Sequence, residues 1–265
     1  MIPTIIPNAI LTLFVFAFGA CIGSFLNAVA MRTVAEKKWW GSERSECDSC
    51  NTTLTRWDLI PVFSYLFLLG RCRYCGKKIS PRHLYAELIS GFGCVLLYFW
   101  WGISPALLMS VVALWFFLFN SLTDLESGYI YDAWAIALGV VGLLIRIGGG
   151  WHSVMDGLLG AALGFGVILL IIIVSRGGMG WGDATLMLGA GGALGWKFCA
   201  IGMYLGFMVG GAIILPLLLT KKVSRKDAVP LGPFLAAGCM LAILFGGSLL
   251  AHFGIDPSWP WLRGA

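Results

Sequence analysis

Apolar runs of about eighteen residues or more recur along most of this 265-residue chain, each long enough to cross ~30 Å of hydrocarbon as a helix. Only 12% of the residues are charged and 59% are hydrophobic, whereas a soluble domain carries about 25% charge. The fold class that follows is an all-α polytopic membrane protein. Eight spans are expected, near 5–31, 86–103, 105–123, 130–147, 153–175, 183–196, 199–219 and 231–252. The first run lacks the basic flank of a secretory signal and is too long for a signal's apolar core, so it reads as a retained helix.

One stretch breaks the pattern. Residues 32–86 hold ten of the eighteen Lys and Arg and four of the eight Cys, the composition of a small soluble insert. The expected organisation is therefore a first helix over 1–31, the insert over 32–86 and a helical membrane domain over 87–265. The formal net charge of +5 does not point to nucleic acid, because the basic residues lie in loops between spans. Their distribution sets orientation instead. With eight spans, fifteen Lys and Arg fall on one side and three, Arg146, Lys197 and Arg263, on the other. The positive-inside rule places the fifteen, and the insert with them, in the cytoplasm, with both termini outside it.

That topology brings two carboxylates to one face. Asp124 ends the third span in Ser121-Leu122-Thr123-Asp124-Leu125, and Asp183 opens the sixth in Gly180-Trp181-Gly182-Asp183-Ala184. A single Asp at the end of a membrane helix is more often an interfacial charge or a cap. Two arriving on the same face from different helices suggest a paired acid and base, in which like charges keep one carboxyl protonated. Gly180 and Gly182 would permit unusual backbone angles and close approach beside Asp183. Asp132, Glu126, Asp156 and Glu87 compete for such a role. Gly128 argues against a continuous helix from Asp124 to Asp132, and Asp156 opens a span on the opposite side, where an interfacial position is expected.

Cys47-Asp48-Ser49-Cys50 and Cys72-Arg73-Tyr74-Cys75 are two C-x2-C pairs separated by 21 residues, the spacing of a four-thiolate zinc site. A reducing cytoplasm disfavours the disulfide alternative, and a small insert with little apolar content needs a metal staple. Cys21, Cys94, Cys199 and Cys239 lie inside spans without partner spacing and are expected to pack as small apolar residues. Glycines four apart, Gly19 with Gly23, Gly160 with Gly164 and Gly206 with Gly210, are expected to let helices approach closely. The sixth span, short and rich in Gly189, Gly191, Gly192 and Gly195, is expected to be a broken or tilted helix buried among others.

These residues together resemble the type 4 prepilin peptidases, bifunctional leader peptidases and N-methyltransferases. The resemblance covers nearly the whole chain. It runs through Gly23-Ser24-Phe25-Leu26-Asn27, both C-x2-C pairs, Trp57-Asp58-Leu59-Ile60-Pro61-Val62-Phe63-Ser64-Tyr65, Gly70-Arg71-Cys72-Arg73-Tyr74-Cys75-Gly76, Glu87-Leu88, Asp124, Gly180-Trp181-Gly182-Asp183 and Pro230-Leu231-Gly232-Pro233-Phe234-Leu235. It implies that Asp124 and Asp183 are the catalytic pair and that the substrate is a prepilin or pseudopilin cut on the cytoplasmic side of its apolar helix in a bacterial inner membrane. It also implies methylation of the new amino terminus from S-adenosylmethionine. Two departures stand out: the family reads Pro-Asp where this chain has Tyr131-Asp132, and Lys where it has Thr185. No strand, Gly-rich turn and helix unit is visible to hold the methyl donor. Asn27, Glu87 and Asn120 are polar enough to serve it, but hydrogen bonding between helices is the simpler expectation. His83 is not needed as a metal ligand beside four thiolates. Two other classes fit parts of the pattern: a proton-coupled transporter using intramembrane acids, and a membrane-anchored zinc module that only binds a partner.

Overall fold

A computed structural model describes residues 9–38, 44–47, 49–176, 178–221 and 229–261. Its helices are α1 Ala9–Val34, α2 Phe63–Phe67, α3 Arg82–Trp101, α4 Pro105–Ser127, α5 Asp132–Arg146, α6 Gly150–Val174, α7 Trp181–Leu194, α8 Trp196–Leu219 and α9 Gly232–His252. Among the described residues the only extended pairing is two isolated bridges, Glu46 with Thr53 and Arg71 with Lys78. The chain is thus an all-α polytopic membrane protein. Six stretches are long and apolar enough to cross a bilayer. The expectation of eight separate spans is not met by length. Residues 132–174 run on as one apolar stretch that holds both α5 and α6, and α7, at 14 residues, rises only ~21 Å.

Local sequence explains where these helices start and stop. Ser104 caps α4 by accepting the Leu107 N–H at 3.2 Å, and Pro105 supplies a first-turn residue that needs no N–H partner. Gly128, at φ 69°, ends α4 in the left-handed conformation and returns its N–H to the Asp124 carbonyl, so a continuous helix to Asp132 is excluded. Gly195, at φ 82°, separates α7 from α8 by a single residue.

The chain forms two compact units, Met1–Phe99 and Trp100–Ala265. In the first, α1 packs on α3 through glycine: a Cβ on Gly19 would meet the Ser90 carbonyl at 2.9 Å, and one on Gly23 would meet the Ala86 carbonyl at 2.5 Å. Ser90 Oγ donates to the Gly19 carbonyl at 2.6 Å across the same seam.

In the second unit α7 is the buried centre, with eleven of its fourteen residues enclosed. It lies between α5 and α6, where Gly139 faces Gly189, Gly142 faces Ala193, Gly160 faces Gly191 and Gly164 faces the Met187 carbonyl. Helices α8 and α9 close together through Gly202, Gly206 and Gly238. The glycine pairs expected from spacing alone all lie at such contacts, Gly210 against the Phe234 ring included. A buried, short α7 also agrees with expectation. Of the cysteines expected to pack as small apolar groups, Cys94, Cys199 and Cys239 are buried, whereas Cys21 is exposed on the surface of α1.

Because a Cβ at Gly191 would collide with the Gly160 backbone, Gly191→Val should lower stability by about 3 kcal/mol or abolish accumulation. Thermal unfolding of the purified variant checks this, with Gly166→Ala as the control, since nothing lies near that position.

Candidate active site and metal centre

Two ends of the second unit are chemically distinct. At one end lie the last turn of α4, the following loop, the first turn of α7 and the start of α9. Asp124 and Asp183 project there, and both are buried, at 6% and 7% exposure. Asp124 Oδ2 accepts the Gly232 N–H at 3.0 Å. Ile130 is the common neighbour. A Cβ on Gly232 would stand 2.7 Å from Asp124 Oδ2 and 3.0 Å from Ile130 Cδ1, and one on Gly182 would stand 2.8 Å from Ile130 Cβ. The two carboxyls are close enough to act on each other electrostatically.

Gly180 and Gly182 serve this end by size. Gly180 has an ordinary extended φ of −72°, and neither glycine lies among those with positive φ, so the expected unusual angles do not occur. A Cβ on Gly180 would sit 3.4 Å from Asp183 Oδ2. Gly232 and Ile130, which the sequence did not single out, line this end. Gly232 lies in the quoted Pro230-Leu231-Gly232-Pro233 motif, and a glycine followed by proline at a helix start was the available signal.

One of the two departures from the family pattern, Thr185, bonds to the residue that follows the other. Thr185 Oγ1 donates to Asp132 Oδ1 at 2.7 Å and lies 2.9 Å from the Gly182 carbonyl. Thr185 thereby ties the first turn of α7 to the first turn of α5 with a neutral donor. Of the other acids weighed above, Glu126 is exposed, while Asp156 corrects an expectation. It is 8% exposed and pairs with Arg146 at 2.9 Å, so it is a buried partner and not an interfacial charge.

The first unit holds the cysteines. The Sγ atoms of Cys47, Cys50, Cys72 and Cys75 all lie within 4.8 Å of one another, and the Cys47 and Cys75 sulfurs are 4.0 Å apart. Such a cluster could hold a metal ion. Its two halves are built alike. In each, the residue after the second Cys takes a left-handed φ, 53° at Asn51 and 69° at Gly76, and donates its N–H to the first Cys carbonyl. Each half is closed by one bridge, Glu46 with Thr53 and Arg71 with Lys78. The Thr52 hydroxyl and N–H pull Cys50 down to about 6. The Lys77 N–H favours the Cys75 thiolate, but burial and the three neighbouring sulfurs outweigh it and push Cys75 up to about 11. Four thiols arranged this way resist ionising together unless a cation joins them.

Asp58 knits the insert to the second pair. It accepts from Thr55 N at 3.1 Å, Thr55 Oγ1 at 2.7 Å, Arg73 Nε at 2.7 Å and Tyr74 OH at 3.3 Å. In the sequence Asp58 stands out only within the Trp57–Tyr65 motif, because its partners Arg73 and Tyr74 lie on a loop 15 and 16 positions away. Glu87 is spent on the backbone: Oε2 accepts the Val62 N–H at 2.7 Å and the Ser24 hydroxyl also bonds to it. Val62, at φ 65° and ψ −53°, is the centre of a γ-turn closed by Phe63 N to the Pro61 carbonyl at 2.7 Å. A β-branched residue there is strained, and the Glu87 carboxylate holds it in place. Asn27 joins α1 to α3 through His83 at 2.8 Å, as expected of a helix-to-helix bond. Asn120 differs, since its amide donates to the Phe116 carbonyl within its own helix.

The family models agree with this division of the chain. Residues 17–101 match the Bacterial Peptidase A24 N-terminal domain, and residues 111–215 match the Type IV leader peptidase family. A prepilin leader peptidase/N-methyltransferase of Aeromonas hydrophila is 30% identical over 267 residues, covering 89% of this chain and 91% of the relative. The chain belongs to the type IV leader peptidase family. A Bacillus subtilis (strain 168) protein of the same name is 31% identical over 238 residues, covering 90% of this chain and 96% of its own length. One from Pseudomonas putida is 30% identical, covering 88% and 90%. No solved structure matches the chain. Thr185, one of the two departures noted in the sequence, bonds to Asp132 and so links α7 to α5.

Burial raises the Asp58 carboxyl, but its Thr55 and Arg73 partners outweigh that and hold it below the usual carboxylate range. Its contribution to stability is therefore fully present above the unfolded pKa of about 4 and lost as pH falls through the lower folded value. Hydrogen exchange over residues 54–75 should be faster in Asp58→Asn than in the parent at pH 7, and the difference should disappear near pH 2.

Proposed function

We propose that this protein is a membrane aspartic endopeptidase that removes the leader from type IV prepilins or pseudopilins, with Asp124 and Asp183 as its catalytic pair. The observation that carries the reading is that two buried carboxyls, from the end of α4 and the start of α7, lie close enough to act on each other, with Ile130 beside both Gly182 and Gly232. Enclosed like charges share a proton, so one carboxyl activates a water molecule while the protonated one donates to the scissile carbonyl. The small residues Gly180, Gly182 and Gly232 leave room for an extended substrate backbone beside the pair. The names of the relatives support the substrate class.

The active end is assigned to the cytoplasmic face of a bacterial inner membrane. Supporting this, Lys and Arg divide fifteen to three in favour of that side. In the second unit, α4 ends where α5, α7 and α9 begin, which agrees with the alternation used in that count. The insert then also faces the cytoplasm, and both termini lie outside it.

The four cysteines are assigned to a structural Zn2+. A tetrahedral ion with bonds of ~2.3 Å needs sulfurs about 3.8 Å apart, and the 4.0 Å Cys47–Cys75 separation fits it. The ion would fasten the two halves of the insert to each other. Methylation of the new amino terminus is extended to this chain from the relatives' names. S-Adenosylmethionine supplies an electrophilic methyl group, and it would bind without a Rossmann-type turn, because among the described residues no strand leads into a glycine-rich helix start.

Asp124→Asn and Asp183→Asn should each lower prepilin cleavage by at least about 10³-fold while the protein still inserts in the membrane. Mass spectrometry of a co-expressed prepilin reads the lost leader directly, and full cleavage by either variant would sink the assignment. Cys47→Ser should bring zinc from one ion per chain to near zero by elemental analysis. Undiminished zinc would rule out four-sulfur coordination.

A further inference from the structure

The far end of the second unit contains a buried cation that the proposed chemistry does not use. Arg146, the last residue of α5, is fully enclosed. Its Nε donates to the Ala193 carbonyl at 2.9 Å, and its Nη1 reaches Asp156 Oδ2 at 2.9 Å, the Ser153 carbonyl at 3.0 Å and the Trp259 carbonyl at 3.0 Å. Residues 258–261 fold into the same place. Ser258 Oγ donates to Asp156 Oδ2 at 2.7 Å, and Trp261 Nε1 donates to the Leu194 carbonyl at 2.8 Å. The Trp261 ring is wholly buried, stacked on Phe198 at 5.0 Å and tilted against Trp101 at 5.6 Å.

Two of these main-chain acceptors, Ala193 and Leu194, belong to the last turn of α7. A helix leaves its last carbonyls without internal partners. Ala193 and Leu194 are wholly buried, so water does not reach these carbonyls. Gly195 cannot extend the cap: a Cβ there would run into Asp156 and Arg146. Arg146 and Trp261 therefore supply the missing donors, and Asp156 balances the charge that Arg146 brings. Glycine faces line α7 on both sides and offer few large side chains to resist sliding along its axis.

We propose that residues 258–261 form a latch that sets the axial position of α7, and through it the position of Asp183 at the opposite end. Arg146, Asp156 and Trp261 are positioning residues in this device. The inference rests on the reading of Asp183 as a catalytic carboxyl.

The test uses the full-length protein in lipid vesicles with a purified prepilin. Trp261→Phe keeps the ring and loses only the N–H, and kcat should fall about 5-fold with KM unchanged, whereas removal of residues 258–265 should cost about 100-fold, the scale of a displacement near 1 Å. In both variants the pH profile of kcat should shift, because the distance between the two carboxyls governs how they share a proton. Hydrogen exchange over residues 181–194 should rise in the same order. Arg146→Lys should retain more activity than Arg146→Met. Wild-type kcat, pH profile and exchange in Trp261→Phe would overturn the latch, and that variant decides the matter if the truncated chain fails to fold. Full activity of Asp183→Asn would instead overturn the catalytic reading, with the exchange measurement still reporting on α7.

Discussion

The arrangement of the second unit depends on backbone-to-backbone contact along α7. In lipid there is little hydrophobic force to press helices together, so close packing of small residues must supply the attraction. Glycine at positions 142, 160, 164, 189 and 191 brings α5 and α6 onto α7 at distances that any side chain would forbid, and Gly139 and Gly192 lie in close contact beside them. A 14-residue helix can sit in the middle of a membrane protein only because its neighbours cover it this closely. The same contact puts Asp183 in a dry environment beside Asp124, which is the condition for two carboxyls to share a proton.

Packing of this kind leaves the ends of the helices as the places where polar chemistry collects. At one end the buried carboxyls of Asp124 and Asp183 lie near Ile130, Gly180 and Gly232. At the other end the carbonyls of α7 meet the guanidinium of Arg146 and the indole of Trp261. A cation and N–H donors suit the C-terminal end of a helix and a carboxylate suits the start of one, so the Arg146–Asp156 pair follows the helix dipoles of α5, α7 and α6.

The first unit solves a different problem. Its insert has little apolar surface to bury, and it is organised around polar side chains reaching the backbone. Asp58 gathers donors from Thr55, Arg73 and Tyr74, while Glu87 steadies the strained turn at Val62. The two cysteine pairs have matching turns with a left-handed residue after each second Cys. The symmetry delivers four sulfurs to one point from segments 21 residues apart.

Much of this was legible in the chain itself. Long apolar runs determined the helices, since lipid permits so few other backbones. The spacing of Cys47, Cys50, Cys72 and Cys75 determined a metal-type cluster because a tight turn presents both sulfurs of each pair. Asp124 and Asp183 were legible as a pair because helix direction alternates between spans. What only the tertiary structure decided depends on contacts between residues distant in sequence: that Asp156 is buried against Arg146, that Thr185 meets Asp132, that Glu87 serves Val62, and that Trp261 closes on α7. Periodicity and charge count register which face a residue belongs to. They carry no information on which neighbour 50 or 100 positions away supplies its hydrogen bond, and that partner decides whether a carboxylate is interfacial, structural or catalytic.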